Sequence, residues 1–162
     1  MSGAKIAVIM GSQSDLETMC EGINFLKGSG VRTLVTVLSA HRTPKELDRY
    51  VQSAEQSGIK VIIAAAGGAA ALAGAIAART TLPVIGVPMN TKIINGLDSL
   101  LSTLQMPAGV PVATMTIGKA GAKNAAIFAL EILGLTDKRI RSRLIAHKRQ
   151  MRLKVTSVKI KI

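Results

Sequence analysis

Short apolar runs recur along the chain at residues 5–10, 33–39, 61–65, 83–88 and 112–117, each with the length and aliphatic bias of a buried strand. The segments between them switch to helical spacing. Residues 14–29 carry Leu16, Met19, Ile23 and Leu26 on one face. Residues 43–58 open on Thr43, Pro44 and Glu46, which read as an N-cap, a proline in the first helical position and a capping-box acid, and Gly58 supplies the stop. Further helices are expected over the Ala-rich stretch 69–79, over 93–105 and over 119–133. Strict alternation of strand and helix implies right-handed crossovers and a parallel sheet between two helical layers. The expected architecture is α/β, a three-layer flavodoxin-like domain with a five-stranded sheet of order 2-1-3-4-5. Ligands of such sheets bind at the carboxyl ends of the strands, near the switch between the first and third.

Length and composition sharpen this picture in three ways. At 162 residues the chain has room for one compact domain, read as residues 1–135, followed by a basic helical extension and tail over 136–162. Hydrophobic residues make up 48% of the chain but aromatics only 2%, so packing relies on small aliphatic side chains, and further burial by association into a multimer is expected. The net charge of +12 is concentrated at one end. Ten lysines and arginines lie between Lys138 and Lys161 with no acid among them, which leaves only +2 for residues 1–137.

Other classes recede. The most apolar segment, 61–78, is broken by Gly67 and Gly68 and flanked by Lys60 and Arg79, so it does not read as a membrane span. The first five residues run into a strand without a leader pattern. Cys20 is the single cysteine and reads as a small buried thiol in a helix, which rules out an internal disulfide and suits a cytoplasmic location. No Cys/His/carboxylate group has metal-ligand spacing, so no metal is expected. The basic tail invites nucleic-acid or anionic-membrane binding on charge alone, but it lacks aromatic base platforms, and neither partner is expected. Its helical part, 136–152, has Ile140, Leu144 and Ile145 on one side, with His147 expected to be solvated. Residues 155–162 are expected as an edge strand or an unstructured end.

Candidate chemistry lies at the carboxyl ends of the strands. After the first strand come Gly11, Ser12, Gln13, Ser14 and Asp15, with a glycine for close approach, two hydroxyls and a helix N-terminus that favours an anion. The same residues also suit plain helix capping. Neither the P-loop nor the dinucleotide pattern is present. After the second strand, Ser39, Ala40, His41 and Arg42 place a proton carrier beside a planar cation suited to phosphate. After the third, Gly67, Gly68, Ala71 and Leu72 sit in a run of small residues that fits either a flat heterocycle or tight packing. Asp98 with Ser99 suits either a cap or a loop brace, and Met106 with Pro107 a pocket wall.

Taken together, residues 6–15 (IAVIMGSQSD), 39–44 (SAHRTP), 67–70, 83–88, 95–101, 105–112 and 118–125 (GKAGAKNA) resemble, in order and spacing, the signature blocks of the PurE family of N5-carboxyaminoimidazole ribonucleotide mutases. The likeness covers residues 5–135. It implies a cytoplasmic homo-octamer of flavodoxin-like subunits that completes its sites with neighbouring subunits and uses no cofactor. The implied reaction belongs to purine biosynthesis: a carboxyl group moves from N5 of a small-molecule ribonucleotide to C4 of its imidazole. By the same resemblance His41 is the general acid/base. Ser12, Asp15 and Arg42 hold the ribose phosphate, and Ser14, Ser39, Ala40, Gly67, Gly68, Ala71 and Leu72 complete the substrate site. The third block departs from the family pattern. Ala71 stands where a second histidine is expected and Ala73 where a proline is expected, which removes a potential proton relay, enlarges the cavity and loosens a loop. Three readings stay open here: an active mutase, a carboxylase that takes carbon dioxide directly, and a homologue that binds without turnover.

Overall fold

A computed structural model describes Gly3 and residues 5–160. The strands are β1 (Ile6–Met10), β2 (Thr33–Val37), β3 (Val61–Ala66), β4 (Val84–Pro88) and β5 (Ala113–Thr114). They pair in parallel in the order β2-β1-β3-β4-β5. The helices are α1 (Leu16–Ser29), α2 (Pro44–Gln56), α3 (Leu72–Ala77), α4 (Leu97–Leu104), α5 (Gly118–Gly134) and α6 (Lys138–Thr156), with a short 3-10 turn, Gln13–Asp15, ahead of α1. The architecture is the expected three-layer flavodoxin-like one, with the order 2-1-3-4-5.

Alternation along each strand sends side chains to two separate cores. Ile6, Val8, Met10, Val61, Ile63, Ile85 and Val87 pack against α1 and α5. Ala7, Ile9, Ile62, Ala64 and Val84 pack against α2 and α3. With few aromatics available, close approach replaces bulk. A Cβ added at Gly22 of α1 would run into the Ala122 carbonyl of α5, so the two backbones nearly touch there. No helix of the described residues is long and apolar enough to cross a membrane.

Several expectations are corrected. Helix α3 begins at Leu72, not residue 69, because Gly68 (φ +66°) and Ala70 (φ +29°) hold left-handed backbone that a right-handed helix cannot contain. Ala73 therefore lies in the first turn of a helix, 2% exposed, and its replacement of proline loosens no loop. Asn95 (φ +51°) and Gly96 (φ +88°) likewise delay α4 to Leu97. The fifth strand shrinks to Ala113–Thr114, an edge strand paired on one side only. Thr43 makes no side-chain cap to α2. Its hydroxyl instead accepts from the Ser39 N–H at 2.8 Å and donates to the Ser39 carbonyl at 3.1 Å. The tail helix runs on to Thr156, so Val155 and Thr156 are helical and not part of an edge strand; residues 161–162 lie outside the described residues. Each added helical residue there gains a backbone hydrogen bond, while no sheet edge is at hand to offer the alternative. His147 is not solvated: its ring meets Phe25 edge-on at 4.9 Å and its Nε2 is buried without a partner. Cys20 is only partly buried.

Candidate active site

The carboxyl ends of β1, β2, β3 and β4 enclose a cavity of about 460 Å³. Ten of the eleven residues singled out from the sequence line it: Ser12, Ser14, Asp15, Ser39, Ala40, His41, Arg42, Gly67, Ala71 and Leu72. Gly68 does not. Its N–H points away from the cavity wall and donates to the Ser99 hydroxyl at 3.0 Å. Gly11, Ala66, Ala70, Met89 and Asn90 line the cavity as well. Met89 and Asn90 lack a recognisable motif, yet they follow β4 directly, and the rule that loops after parallel strands build the site would have found them.

The first loop is shaped by a reciprocal cap. The Ser12 N–H donates to the Asp15 carboxylate at 3.1 Å, while the Ser12 hydroxyl accepts from the Ser14 N–H at 3.3 Å and from the Ser14 hydroxyl at 2.9 Å. The capping and ligand readings are therefore compatible: the cap presents two hydroxyls at the cavity edge. Burial pushes the Asp15 carboxyl above the ordinary aspartate range, against the pull of the Ser12 N–H, the Ser14 hydroxyl and the Arg42 guanidinium.

Arg42 crosses from the second loop to the first. Its Nη2 donates to the Gly11 carbonyl at 2.8 Å and its Nε to the Ser39 hydroxyl at 3.4 Å, and the Ser39 hydroxyl also accepts from the Arg42 N–H at 3.2 Å. These bonds fix the plane of the guanidinium and leave its remaining N–H groups free for an anion. His41, the adjacent residue, is exposed at the cavity rim. The opposite wall is apolar and shallow, built from Ala66, Gly67, Ala70, Ala71 and Leu72. Ala71 has ordinary helical backbone (φ −68°, ψ −10°), so its methyl group faces the site without distortion.

That wall is braced from behind. Ser99, fully buried, reaches from α4 to the Gly68 N–H, and Asp98 beside it accepts from the Thr91 hydroxyl at 2.8 Å. The pair left open from sequence thus braces loops. Met106 packs against Gly74 of α3 and not into the cavity. Among the described residues no group of three or more His, Cys, Asp or Glu side chains is placed to hold a metal ion.

A fixed guanidinium, two hydroxyls at a helix start and one imidazole around a small-walled cavity suit a phosphorylated, flat substrate and proton transfer. The chain is similar to N5-carboxyaminoimidazole ribonucleotide mutases from several organisms. It is 52% identical to that of Saccharolobus solfataricus over 96% of this chain and 98% of the relative. Identity to the Bacillus subtilis enzyme is 56%, over 82% of each chain. For the Escherichia coli K12 enzyme it is 50%, over 87% of this chain and 83% of the relative. The crystal structure of Treponema denticola PurE superposes with a TM-score of 0.86 at 27% identity, covering 94% of both chains. Residues 5–154 match the family model described as AIR carboxylase, and with relatives this similar over nearly their whole length, the chain belongs to that family.

Proposed function

We propose that this protein is an N5-carboxyaminoimidazole ribonucleotide mutase of purine biosynthesis, with His41 as its acid/base and Arg42, Ser12 and Asp15 as its ribose-phosphate holders. The observation that carries the reading is the coincidence of family and geometry: identity of 50–56% to mutases, and one cavity that gathers the matching residues.

The chemistry follows from the residues present. Protonation of N5 by the His41 imidazolium breaks the N5–carboxyl bond and releases carbon dioxide beside an electron-rich aminoimidazole. C4 attacks the carbon dioxide, forming the new C–C bond and leaving C4 with both a carboxylate and a hydrogen. Neutral His41 removes that hydrogen as a proton, which restores aromaticity and returns the imidazolium. One imidazole therefore closes the proton cycle, and no external base is required. The apolar wall of Ala66, Ala70, Ala71 and Leu72 offers carbon dioxide no polar group to divert it, and confinement keeps it within reach of C4. Arg42 holds the remote phosphate, so binding energy orients the ring without touching the reacting atoms.

Assembly into a homo-octamer is part of this reading. Ile93 and Ile94 just before α4, and Leu97, Leu101 and Leu104 on it, are exposed apolar side chains, as are Leu153, Val155, Val158 and Ile160 in the tail, which supports burial by association. A cytoplasmic location fits a phosphorylated substrate that does not cross membranes.

Purified protein should convert N5-carboxyaminoimidazole ribonucleotide without added bicarbonate, and His41→Asn should abolish turnover while ribonucleotide binding persists. Turnover that requires bicarbonate would replace the mutase by a direct carboxylase. Binding without turnover in the parent protein would overturn the enzymatic reading.

A further inference from the structure

The amino-terminal end of the sheet carries a second cavity, of 740 Å³, where β1 and β3 begin, α5 ends and α6 starts. Its rim holds Lys5, Lys60, Lys138 and Arg139 against a single acid, Asp137. Ile132 and Ile140 provide an aliphatic floor.

Each cation is locally ill-placed. The Lys60 N–H donates to the Lys5 carbonyl at 2.8 Å, one residue before the in-register pair Ile6 and Val61. The two lysines thus continue the register on neighbouring strands, and like charges side by side repel. Lys138 and Arg139 sit in the first turn of α6, where the helix dipole disfavours cations. Asp137 relieves little of this. Its carboxylate already accepts from the N–H groups of Arg139 at 2.9 Å and Ile140 at 3.4 Å, and meets the Arg139 guanidinium at 3.5 Å. Among the described residues Lys5, Lys60 and Lys138 have no acidic partner. Unfavourable placements that converge on one cavity make sense where an anion of several charges sits between them.

We propose that this cavity is a second ligand site, for a small polyphosphate anion carried by a nucleotide or free in solution. The lysines and Arg139 take the phosphates, and the aliphatic floor is available to a base. The volume falls within the range of small-molecule sites.

The test is calorimetric titration of the full-length protein with ATP and, separately, with inorganic tripolyphosphate. Arg42→Ala serves as a background in which phosphate capture at the catalytic cavity is removed, and parent protein saturated with ribonucleotide serves the same purpose should Arg42→Ala fold poorly. Both anions should bind in that background. The double variant Lys60→Gln/Lys138→Gln should weaken them about tenfold or more, since two charge-assisted contacts are lost, while its ribonucleotide turnover without anion stays at the parent rate. Tighter binding of ATP than of tripolyphosphate would place the base on the floor, and equal binding would assign the site to the phosphates alone; both support an anion site. Absence of binding by the parent, or binding lost in Arg42→Ala and kept in the lysine double variant, would overturn the proposal.

Discussion

Removing the Ser99 hydroxyl tests whether the small-residue wall is held in place from outside. Ser99 is fully buried on α4, and its hydroxyl is the acceptor for the Gly68 N–H at 3.0 Å. In Ser99→Ala the side chain loses only that oxygen, so packing is nearly unchanged, but the Gly68 N–H is left without a partner. Such an orphaned donor costs about 1–3 kcal/mol. The loss falls on a segment that is already strained: Ala70, a residue with a Cβ, is held at φ +29°, a conformation that costs about 1 kcal/mol and survives only where its surroundings enforce it. Local opening of the wall should then become about 5- to 150-fold more populated. With the open wall at about 10% in the parent, the ~30-fold middle of that range leaves the wall closed about a quarter of the time, so the steady-state kcat/KM for N5-carboxyaminoimidazole ribonucleotide should fall about fourfold if the closed wall is what confines carbon dioxide. Binding of ribose 5-phosphate, which needs the Arg42 side of the cavity, should be unchanged. Thr103→Val supplies the comparison, because Thr103 is equally buried and donates to the Ser99 carbonyl at 2.7 Å without touching the wall. Each variant should lower Tm by about 2–4 °C per kcal/mol lost. If Ser99→Ala matches Thr103→Val in Tm and keeps the parental kcat/KM, the wall needs no brace and the reasoning fails.

Ala71→His should raise kcat by up to about 100-fold, the low end of a general acid–base contribution because His41 already closes the proton cycle; an unchanged rate would show that position 71 takes no part in proton transfer. Gly22→Ala should destabilise the fold by about 1–3 kcal/mol, because the new methyl group meets the Ala122 carbonyl and pries α1 from α5; urea unfolding with an unaltered midpoint would contradict that contact. Glu55 accepts from the Thr81 hydroxyl at 2.9 Å, the Thr80 hydroxyl at 3.1 Å and the Thr81 N–H at 3.3 Å, which hold its carboxyl below the ordinary glutamate range. Its contribution to stability is thus present above the ordinary glutamate pKa and lost as pH falls through the depressed folded value, so Glu55→Gln should flatten the acid limb of Tm against pH.

What the sequence revealed of this fold was whatever local pattern determines. Strand and helix periods sufficed for an alternating parallel sheet, the common flavodoxin-like order 2-1-3-4-5 was the right choice among those the alternation allows, and the rule for parallel sheets sufficed to place Ser12, Asp15, His41 and Arg42 around one cavity. The misses have two causes. Residues 69–71 read as helix because alanine favours it, yet their conformation is decided by Ser99, 31 residues beyond Gly68. Thr43 reads as an N-cap, yet its hydroxyl is taken up by Ser39 four residues earlier, which shapes the loop that carries His41. His147 reads as solvated amid lysines and arginines, yet helix rotation turns it onto Phe25 of α1. At residues 69–71 and at His147 a contact made only after the chain has folded outweighs the local preference, while at Thr43 one local hydrogen-bonding pattern displaces another.

The same separation explains how Ala71 fits within an otherwise complete site. Arg42 is oriented by the Gly11 carbonyl and the Ser39 hydroxyl, and Asp15 by the Ser12 cap; none of these bonds reaches the wall after β3. The wall is held by Ser99 from α4 and by the burial of Ala70, Leu72 and Ala73. The proposed phosphate anchor and position 71 therefore rest on different loops, and the bonds that orient Arg42 and Asp15 do not include position 71. A change of side chain at position 71 alters the wall and leaves the proposed anchor untouched, so its effect should fall on kcat and not on ribonucleotide affinity. His41 is on the Arg42 side of the cavity, where, in the proposed reaction, a phosphate held by Arg42 would set the distance between the imidazole and the ring. On the proposed mechanism that placement would let one histidine deliver a proton to N5 and recover it from C4.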